Sequence, residues 1–377
     1  MAARPEFTIG IEEEYLIIDP ESGNLVAIPD NRFIAECQSC TGQKAQNEYL
    51  QCQIEIGTSP QKSVASAGNE LAELRNLVAE TASRFGYAII AASTHPLAKW
   101  REQTHTRKER YDTLRLDLGQ NARRLLICGM HFHIGIEDDD LRIDLMNQAS
   151  YFLPHLLALS CSSPFWEGED TSLASYRIAV FDSLPRTGLP DTLSSYAEYA
   201  RLIQHLVDSG CLEDGSKIWW DIRPSAKFPT IEQRITDVCS VQKDAVTIAA
   251  VFQSLIAYLY RLRSLNQRWR SYPPILINEN RWRAQRYGMR QPLVDHGKGA
   301  MTPFAELAGE IVELMAEDAD ALGCEPELRD IIALVERGNS SDRQRAIYAE
   351  ARRNGLTEQE SLRLVTRHLA AEFLQGI

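Results

Sequence analysis

The chain has 377 residues, 44% of them hydrophobic and 24% charged, with a formal net charge of −12. That length buries a large core, and the composition is that of an ordinary globular protein. The acidic balance excludes general binding to nucleic acid or to an anionic membrane surface, while leaving room for a local basic pocket.

The N-terminal residues carry no apolar run of signal-peptide length, and the eight cysteines are scattered. Reduced thiols and a cytoplasmic location are therefore expected. Residues 8–19, TIGIEEEYLIID, predict a strand. Side chains alternate faces along a strand. Thr8, Gly10, Glu12 and Glu14 then share one face, and Ile9, Ile11, Tyr15 and Ile17 share the other with Glu13. Two carboxylates held side by side repel each other, and a hard divalent cation such as Mg²⁺ removes the conflict. An edge strand with its charges in water is the plain alternative. A turn at 20–23 precedes a short return strand at 25–28, and Asn31–Cys40 reads as a helix. Cys37 and Cys40 form a lone CxxC without a second pair at zinc-finger spacing, and receive no role.

Residues 48–58 alternate again. Leu50, Cys52, Ile54 and Ile56 form an apolar face opposite Gln51, Gln53, Glu55 and Gly57, with the glutamines expected in solvent. Glu48 has the wrong parity to join Glu55 unless a turn or bulge intervenes. Residues 66–85 have helical spacing, 87–93 form an apolar strand, and 99–124 are polar and basic with a helical end. Residues 125–136 form a strand placing Gly129, His131, His133 and Gly135 on one face. Two histidines among small glycines leave space for a ligand.

Residues 141–162 form a helix interrupted near Pro154, 163–172 a loop, and 196–209 another helix. Residues 217–225 and 230–238 predict a hairpin in which Thr230, Glu232, Arg234 and Thr236 share a face. Glu232 and Arg234 suit a metal beside a phosphate, or a simple cross-strand ion pair. Residues 242–265 form a long apolar helix, expected in the core because its charge-free part falls short of the roughly 20 residues of a membrane span. Residues 279–288 are basic with interleaved aromatics, and 302–377 form amphipathic helices.

Four strands with polar groups on one face and apolar groups on the other predict an α+β fold. It would be a curved antiparallel sheet with helices packed on its convex face. Its concave front would carry Glu12, Glu14, Glu55, His131, His133, Glu232 and Arg234, joined by Glu48. That many carboxylates in one cleft imply two or three divalent cations, and arginines beside them suit a polyphosphate such as ATP. The phosphate-binding GxxxxGK[ST] loop, GxGxxG, HExxH and GxSxG are all absent.

Six segments, TIGIEEEYLIID, NEYLQCQIEIGTSP, RRLLICGMHFHIGI, SPFWEGEDTSLASYR, WWDIRPSAKFPTIEQRITDVC and ENRWRAQRYG, occur in order over about residues 8–290. Together they resemble the type 2 glutamate–cysteine ligases, also called carboxylate–amine ligases. The resemblance implies a glutamine-synthetase-like catalytic fold in a single domain spanning 1–377, with a catalytic core at about 8–300 and a helical part at 301–377. It implies ATP-dependent joining of the γ-carboxylate of glutamate to the amine of cysteine. Residue by residue, Glu12, Glu14, Glu55 and Glu232 match metal-binding carboxylates, and Glu48 matches an acidic residue seven before that of Glu55. His131 matches a histidine near the nucleotide phosphates, and Arg234 an arginine on the transferring phosphoryl group. Arg177 and Arg223 match substrate-region arginines, Arg286 lies in the matching basic loop, and His133 is a further substrate or nucleotide contact. The expected ligands are two or three Mg²⁺ ions, with Mn²⁺ as a substitute, then ATP, glutamate and cysteine or another amine. A homodimer is expected, with neither nucleic acid nor membrane as partner. Residues 99–110 and 163–172 are candidate closing loops. A ligase for a different amine, a non-catalytic sensor and a metal-dependent phosphohydrolase are the rival readings.

Overall fold

The computed structural model describes residues 4–377. A seven-stranded sheet is built outward from Ile9–Ile18 (β1). Ala45–Asn47 (β2) and Gln53–Gly57 (β3) form a hairpin along one side of β1. Ala88–Ile90 (β4) pairs with the C-terminal end of β1, and Met130–Gly135 (β5) with its N-terminal half. Phe165–Trp166 (β6) and Glu169–Asp170 (β7) make a small ribbon, while Thr187–Gly188 (β8) and Trp219–Trp220 (β9) form a short parallel pair. Ile222–Pro224 (β10) and Thr230–Gln233 (β11) extend the main sheet beyond β5. Its order is β10-β11-β5-β1-β3-β2, with every pairing antiparallel. Leu293–Asp295 (β12) and Ala300–Thr302 (β13) form a last ribbon. The expected α+β class is the observed one.

Burial along β1 follows the alternation: Ile9, Ile11, Glu13 and Tyr15 are buried, while Gly10, Glu12 and Glu14 are half-buried. The buried face is covered by helices Val64–Arg84, Asp139–Ala149 and Gln242–Ser264. The last of these is long and apolar enough to cross a membrane by composition alone, but 78% of its apolar window is inside the fold. It lies behind β1 and β5, with Phe252 and Phe132 ring centroids 6.4 Å apart. Helices Phe304–Leu322 and Glu325–Arg337 pack onto it in turn. Ser340–Arg353 and Glu358–Glu372 pair with each other, and Phe373 meets Tyr15 edge-on at 4.9 Å.

Several local expectations change. Residues 48–58 are not one strand: β2 precedes β3, and Glu48 sits in the turn between them. Residues 25–28 contribute only a bridge from Leu25 to Ile18. The helix at 141–162 breaks into Asp139–Ala149, a 3-10 turn at Ser150–Phe152 and Leu153–Ser160, with Pro154 in the first turn of the new helix. Proline lacks the N–H that a first turn leaves unpaired anyway. The loop 163–172 contains the β6–β7 ribbon. The hairpin's first strand shortens to β10 because Trp219 and Trp220 pair with Thr187 and Gly188 instead.

Candidate active site

The register of the sheet sets its polar groups in three ranks across adjacent strands. Gln46, Glu55 and Glu14 lie side by side on β2, β3 and β1, and the Glu14 backbone N–H donates to Gly129 O at 3.1 Å. Gly57, Glu12 and His131 form the next rank. Gly10, His133, Glu232 and Arg223 form the third. Directly opposed residues stand about 4.5–5.5 Å apart at Cβ, so each rank is in mutual contact. Gly129 keeps space for the cationic and imidazole groups over it: a Cβ there would stand 2.5 Å from Arg177 Nη2 and 2.9 Å from His131 Nε2. The ranks floor a cavity of about 320 Å³.

The glutamates divide by their partners. Glu14, Glu48 and Glu55 each bring one carboxylate oxygen within 4.8 Å of the others. The turn after β2 is what delivers Glu48 there, and its Oε2 accepts the Tyr49 N–H at 2.6 Å. Burial, and then the Glu48 charge, push the Glu14 carboxyl up to about 8. Burial and the neighbouring charges of Glu48, Glu12 and Glu14 also push Glu55 well above the usual carboxylate range. The Gly129 N–H steadies Glu14 through a 2.7 Å bond to Oε2. Carboxylates that burial and mutual repulsion drive towards protonation form a donor set that a hard divalent cation would ionise and hold. The residues present therefore fit a divalent metal.

Glu12 and Glu232 are engaged differently. His131 Nδ1 lies 3.3 Å from Glu12 Oε2, and His133 Nε2 lies 3.5 Å from Oε1. Against the effect of burial, these histidines hold the Glu12 carboxyl well below its ordinary value. Arg223 grips Glu232 with two parallel bonds of 2.8 and 3.1 Å, and Arg234 Nη1 bonds the same carboxylate. The charges of Arg234 and Arg223 outweigh burial and keep Glu232 far below the carboxylate range. Burial and the Arg234 charge bring His131 down to about 4, so it is neutral near pH 7. His133 is raised, because hydrogen bonding to Glu12 and the Glu232 charge overcome burial. Among the described residues, the Nε2 of His131 and the Nε of Arg234 are buried without a hydrogen-bond partner, and the His133 Nε2 has only its long contact with Glu12.

Arg177 lines the same cavity, donating to Ile235 O at 3.2 Å and Arg234 O at 3.1 Å. Arg286 does not line it: the guanidinium donates to Ser172 O on the surface and lies 5.0 Å from the Tyr287 ring centre. The loop 163–172 is also outside the cavity, whereas Arg110, Tyr111, Leu114 and Leu118 of helix Glu109–Leu118 line it. Gln53 is buried, not solvated, and donates to Ile127 O at 2.7 Å.

Two features carried no usable sequence signal. Asp237 is buried beneath the site, accepting from Ser162 N at 2.9 Å, Ser163 Oγ at 2.7 Å and Ser175 Oγ at 2.8 Å. Ser163 Oγ in turn accepts the Arg177 N–H at 3.1 Å, so this network supports the segment that presents Arg177. Lys217 lines the cavity from the 3-10 turn Gly215–Lys217, and only its nearness to the WWDIRPS segment marked it.

Known proteins resemble this chain over nearly its whole length. The chain is 54% identical over 372 residues to a Rhodospirillum rubrum protein, covering 98% of this chain and 96% of the relative. It is 49% identical over 377 residues to one from Paracoccus denitrificans, covering all of both. Both relatives carry the provisional name glutamate–cysteine ligase 2. Among solved structures, the fold resembles a bifunctional glutathione synthetase from Pasteurella multocida, with TM-score 0.67, 16% identity, and coverage of 97% of this chain and 53% of that one. It also resembles a glutamate–cysteine ligase from Francisella tularensis solved with AMP, with TM-score 0.66, 14% identity, and coverage of 99% and 90%. The profile described as Glutamate-cysteine ligase family 2 matches residues 8–366, and the chain belongs to that family.

Proposed function

We propose that this protein, an ATP-dependent carboxylate–amine ligase by family, joins the γ-carboxylate of glutamate to the amine of cysteine as ATP becomes ADP and phosphate. The observation that carries the reading is one sheet face on which a three-carboxylate cluster adjoins the Glu232–Arg223–Arg234 array.

Glu14, Glu48 and Glu55 would hold a divalent ion, Mg²⁺ or Mn²⁺, and Glu12 and Glu232 are assigned to further ions. That second assignment requires their present histidine and arginine partners to give way. When bound, the metal supplies positive charge that screens the phosphate oxygens of the nucleotide. Arg234 stands beside that cluster with its Nε free to donate, and supplies fixed positive charge where the γ-phosphoryl group would transfer. His131, neutral near pH 7, offers hydrogen bonding without added charge. The glutamate carboxylate attacks the γ-phosphorus, giving an acyl phosphate and ADP. The amine then attacks the acyl carbon and phosphate leaves. Arg177 and Arg223 orient the substrate end. The apolar wall of Leu114, Leu118, Leu125, Ile127, Phe181 and Leu184 keeps water from the acyl phosphate.

The test is ADP release from ATP, Mg²⁺ and glutamate, with and without cysteine. The ligase reading expects release that depends on the amine, with γ-glutamylcysteine as product. Release indifferent to the amine would make this a phosphohydrolase, and no release under any amine in a panel would make it a sensor.

A further inference from the structure

We infer that Lys217 and Arg110 form an anion-binding end of the catalytic cavity that takes a carboxylate or phosphate group of a substrate. The proposal rests on the ligase reading and adds a recognition element to it. Six cationic side chains line the cavity: Arg110, Arg177, Lys217, Arg223, Lys227 and Arg234. Three of them hold partners within the protein and already have a place in the ligase reading. Arg223 and Arg234 hold Glu232, and Arg177 donates to two backbone carbonyls. Lys227 sits in the exposed tip of the β10–β11 hairpin.

Lys217 is different because it is buried, at 6% exposure, yet its ammonium has no hydrogen-bond partner among the described residues. Its one ion contact is Glu213 Oε2 at 3.8 Å, and that glutamate side chain is 65% exposed. A lysine ammonium has three donors, and those of Lys217 open onto the cavity and are left for whatever enters it. The backbone beneath Lys217 is held firmly. Asp214 caps the 3-10 turn by accepting the Ser216 N–H at 2.7 Å. Arg186 Nε donates to Lys217 O at 3.0 Å, and Arg223 Nη1 donates to Ser216 O at 3.1 Å. A rigid mount that presents to a cavity a cation whose one ion partner is distant and exposed suits the binding of an anion.

Arg110 comes from a separate segment, the first turn of helix Glu109–Leu118, which Tyr111 ties to the sheet by donating to Asn47 O at 3.2 Å. Both side chains line the same cavity. Hydrogen bonding from Ser216 first, and then the charges of Arg110 and Lys217 together, hold the Asp214 carboxyl below its usual range. Oxyanions suit such a pair: a carboxylate of an amino-acid substrate, or a phosphate of the nucleotide.

Titration calorimetry on the full chain decides between these sources. The probes are a non-hydrolysable ATP analogue with Mg²⁺, then L-glutamate, then L-cysteine, each added to wild type, Lys217→Met, Lys217→Arg and Arg110→Gln. Lys217→Met is expected to weaken one probe about 10- to 100-fold, the range of one lost charge-assisted bond, and leave the others unchanged. Arg110→Gln, on an exposed side chain that does not threaten folding, is expected to weaken the same probe several-fold. Lys217→Arg is expected to recover most of the loss, and the probe affected names the anion. If both neutral variants bind every probe as wild type does, the anion-binding end is wrong and the ligase reading stands. If wild type itself binds neither nucleotide nor either amino acid, the ligase reading fails and takes this proposal with it.

Discussion

Glu14 and Glu55 carry a conflict that their neighbours leave unresolved, since burial and the adjacent Glu48 both oppose their ionisation. A bound cation would resolve it, and this makes a direct prediction. Glu55→Gln removes one of three donors and is expected to lower amine-dependent ADP release by about 100-fold, on the scale of a lost electrostatic contribution at a reacting centre. Titration with Mn²⁺ should show weakened metal binding in the same variant, and undiminished binding would remove Glu55 from the metal set. Gly129 makes a second prediction. A Cβ there would stand 2.5 Å from Arg177 Nη2 and 2.9 Å from His131 Nε2, so both side chains must shift. Gly129→Ala is expected to keep its thermal unfolding temperature within a few degrees. Its turnover should fall by up to about 100-fold, because misplacement of an ångström is enough to do so. Steady-state kinetics beside a melting curve separate the two effects.

At the level of elements, the alternation of TIGIEEEYLIID was readable because β1 is buried on one face and half-open on the other, so period two is written into its residue types. Helix Asn31–Cys40 matched to the residue, with Asp30 as its N-cap. Pairing was not readable. Glu12 lies opposite His131 only because β5 slots antiparallel beside β1, and no local property of either strand carries that register. The β2–β3 hairpin was hidden for a related reason: Leu50, Cys52, Ile54 and Ile56 keep strand periodicity through a turn. Gln53 read as a surface residue because its partner, Ile127 O, is remote in sequence. The connection after β4 shows the same blindness and has a measurable consequence. His95 Nδ1 accepts the N–H groups of Leu97 at 3.1 Å and Ala98 at 3.0 Å, and Nε2 lies 3.0 Å from Gly23 O. With Nδ1 an acceptor, the ring is neutral and its Nε2–H donates. Burial takes its pKa down to about 4, against about 6.5 in an unfolded chain. The native state therefore binds fewer protons than the unfolded state between those values. His95's contribution is full above about pH 6.5 and is lost as the pH falls towards about 4, at up to about 1.4 kcal/mol per pH unit. Urea unfolding of wild type and His95→Gln across that window should show the stability gap narrowing as pH falls, and a constant gap would mean that His95 does not titrate this way.

Over the whole molecule, the C-terminal helices, legible from sequence only as amphipathic, are part of what holds the catalytic sheet. The joint is Glu13, the odd carboxylate on the buried face of β1. Arg75 of helix Val64–Arg84 meets it with bonds of 2.9 and 2.8 Å, and Tyr15 OH donates to it at 2.5 Å. The same guanidinium donates to Cys239 O at 2.9 Å, Ser240 O at 3.2 Å and Phe373 O at 3.4 Å. It also lies 5.1 Å from the Phe373 ring centre. One side chain thus ties the site strand, a rear helix, the segment after β11 and the end of the chain, with neither charge exposed. A buried pair with every donor and acceptor used contributes less than its contacts suggest, because both charges were taken out of water, but removing one partner strands the other. Arg75→Met is therefore expected to cost about 3–5 kcal/mol in urea unfolding and to make the last helix more open to limited proteolysis. Arg75→Met combined with Glu13→Leu removes the stranded carboxylate and should recover much of that loss. Recovery in the double variant means that the pair's value lies in mutual neutralisation. No recovery would mean instead that the guanidinium's bonds to Cys239, Ser240 and Phe373 carry the stability, and that Arg75 acts mainly as a clamp on the chain terminus.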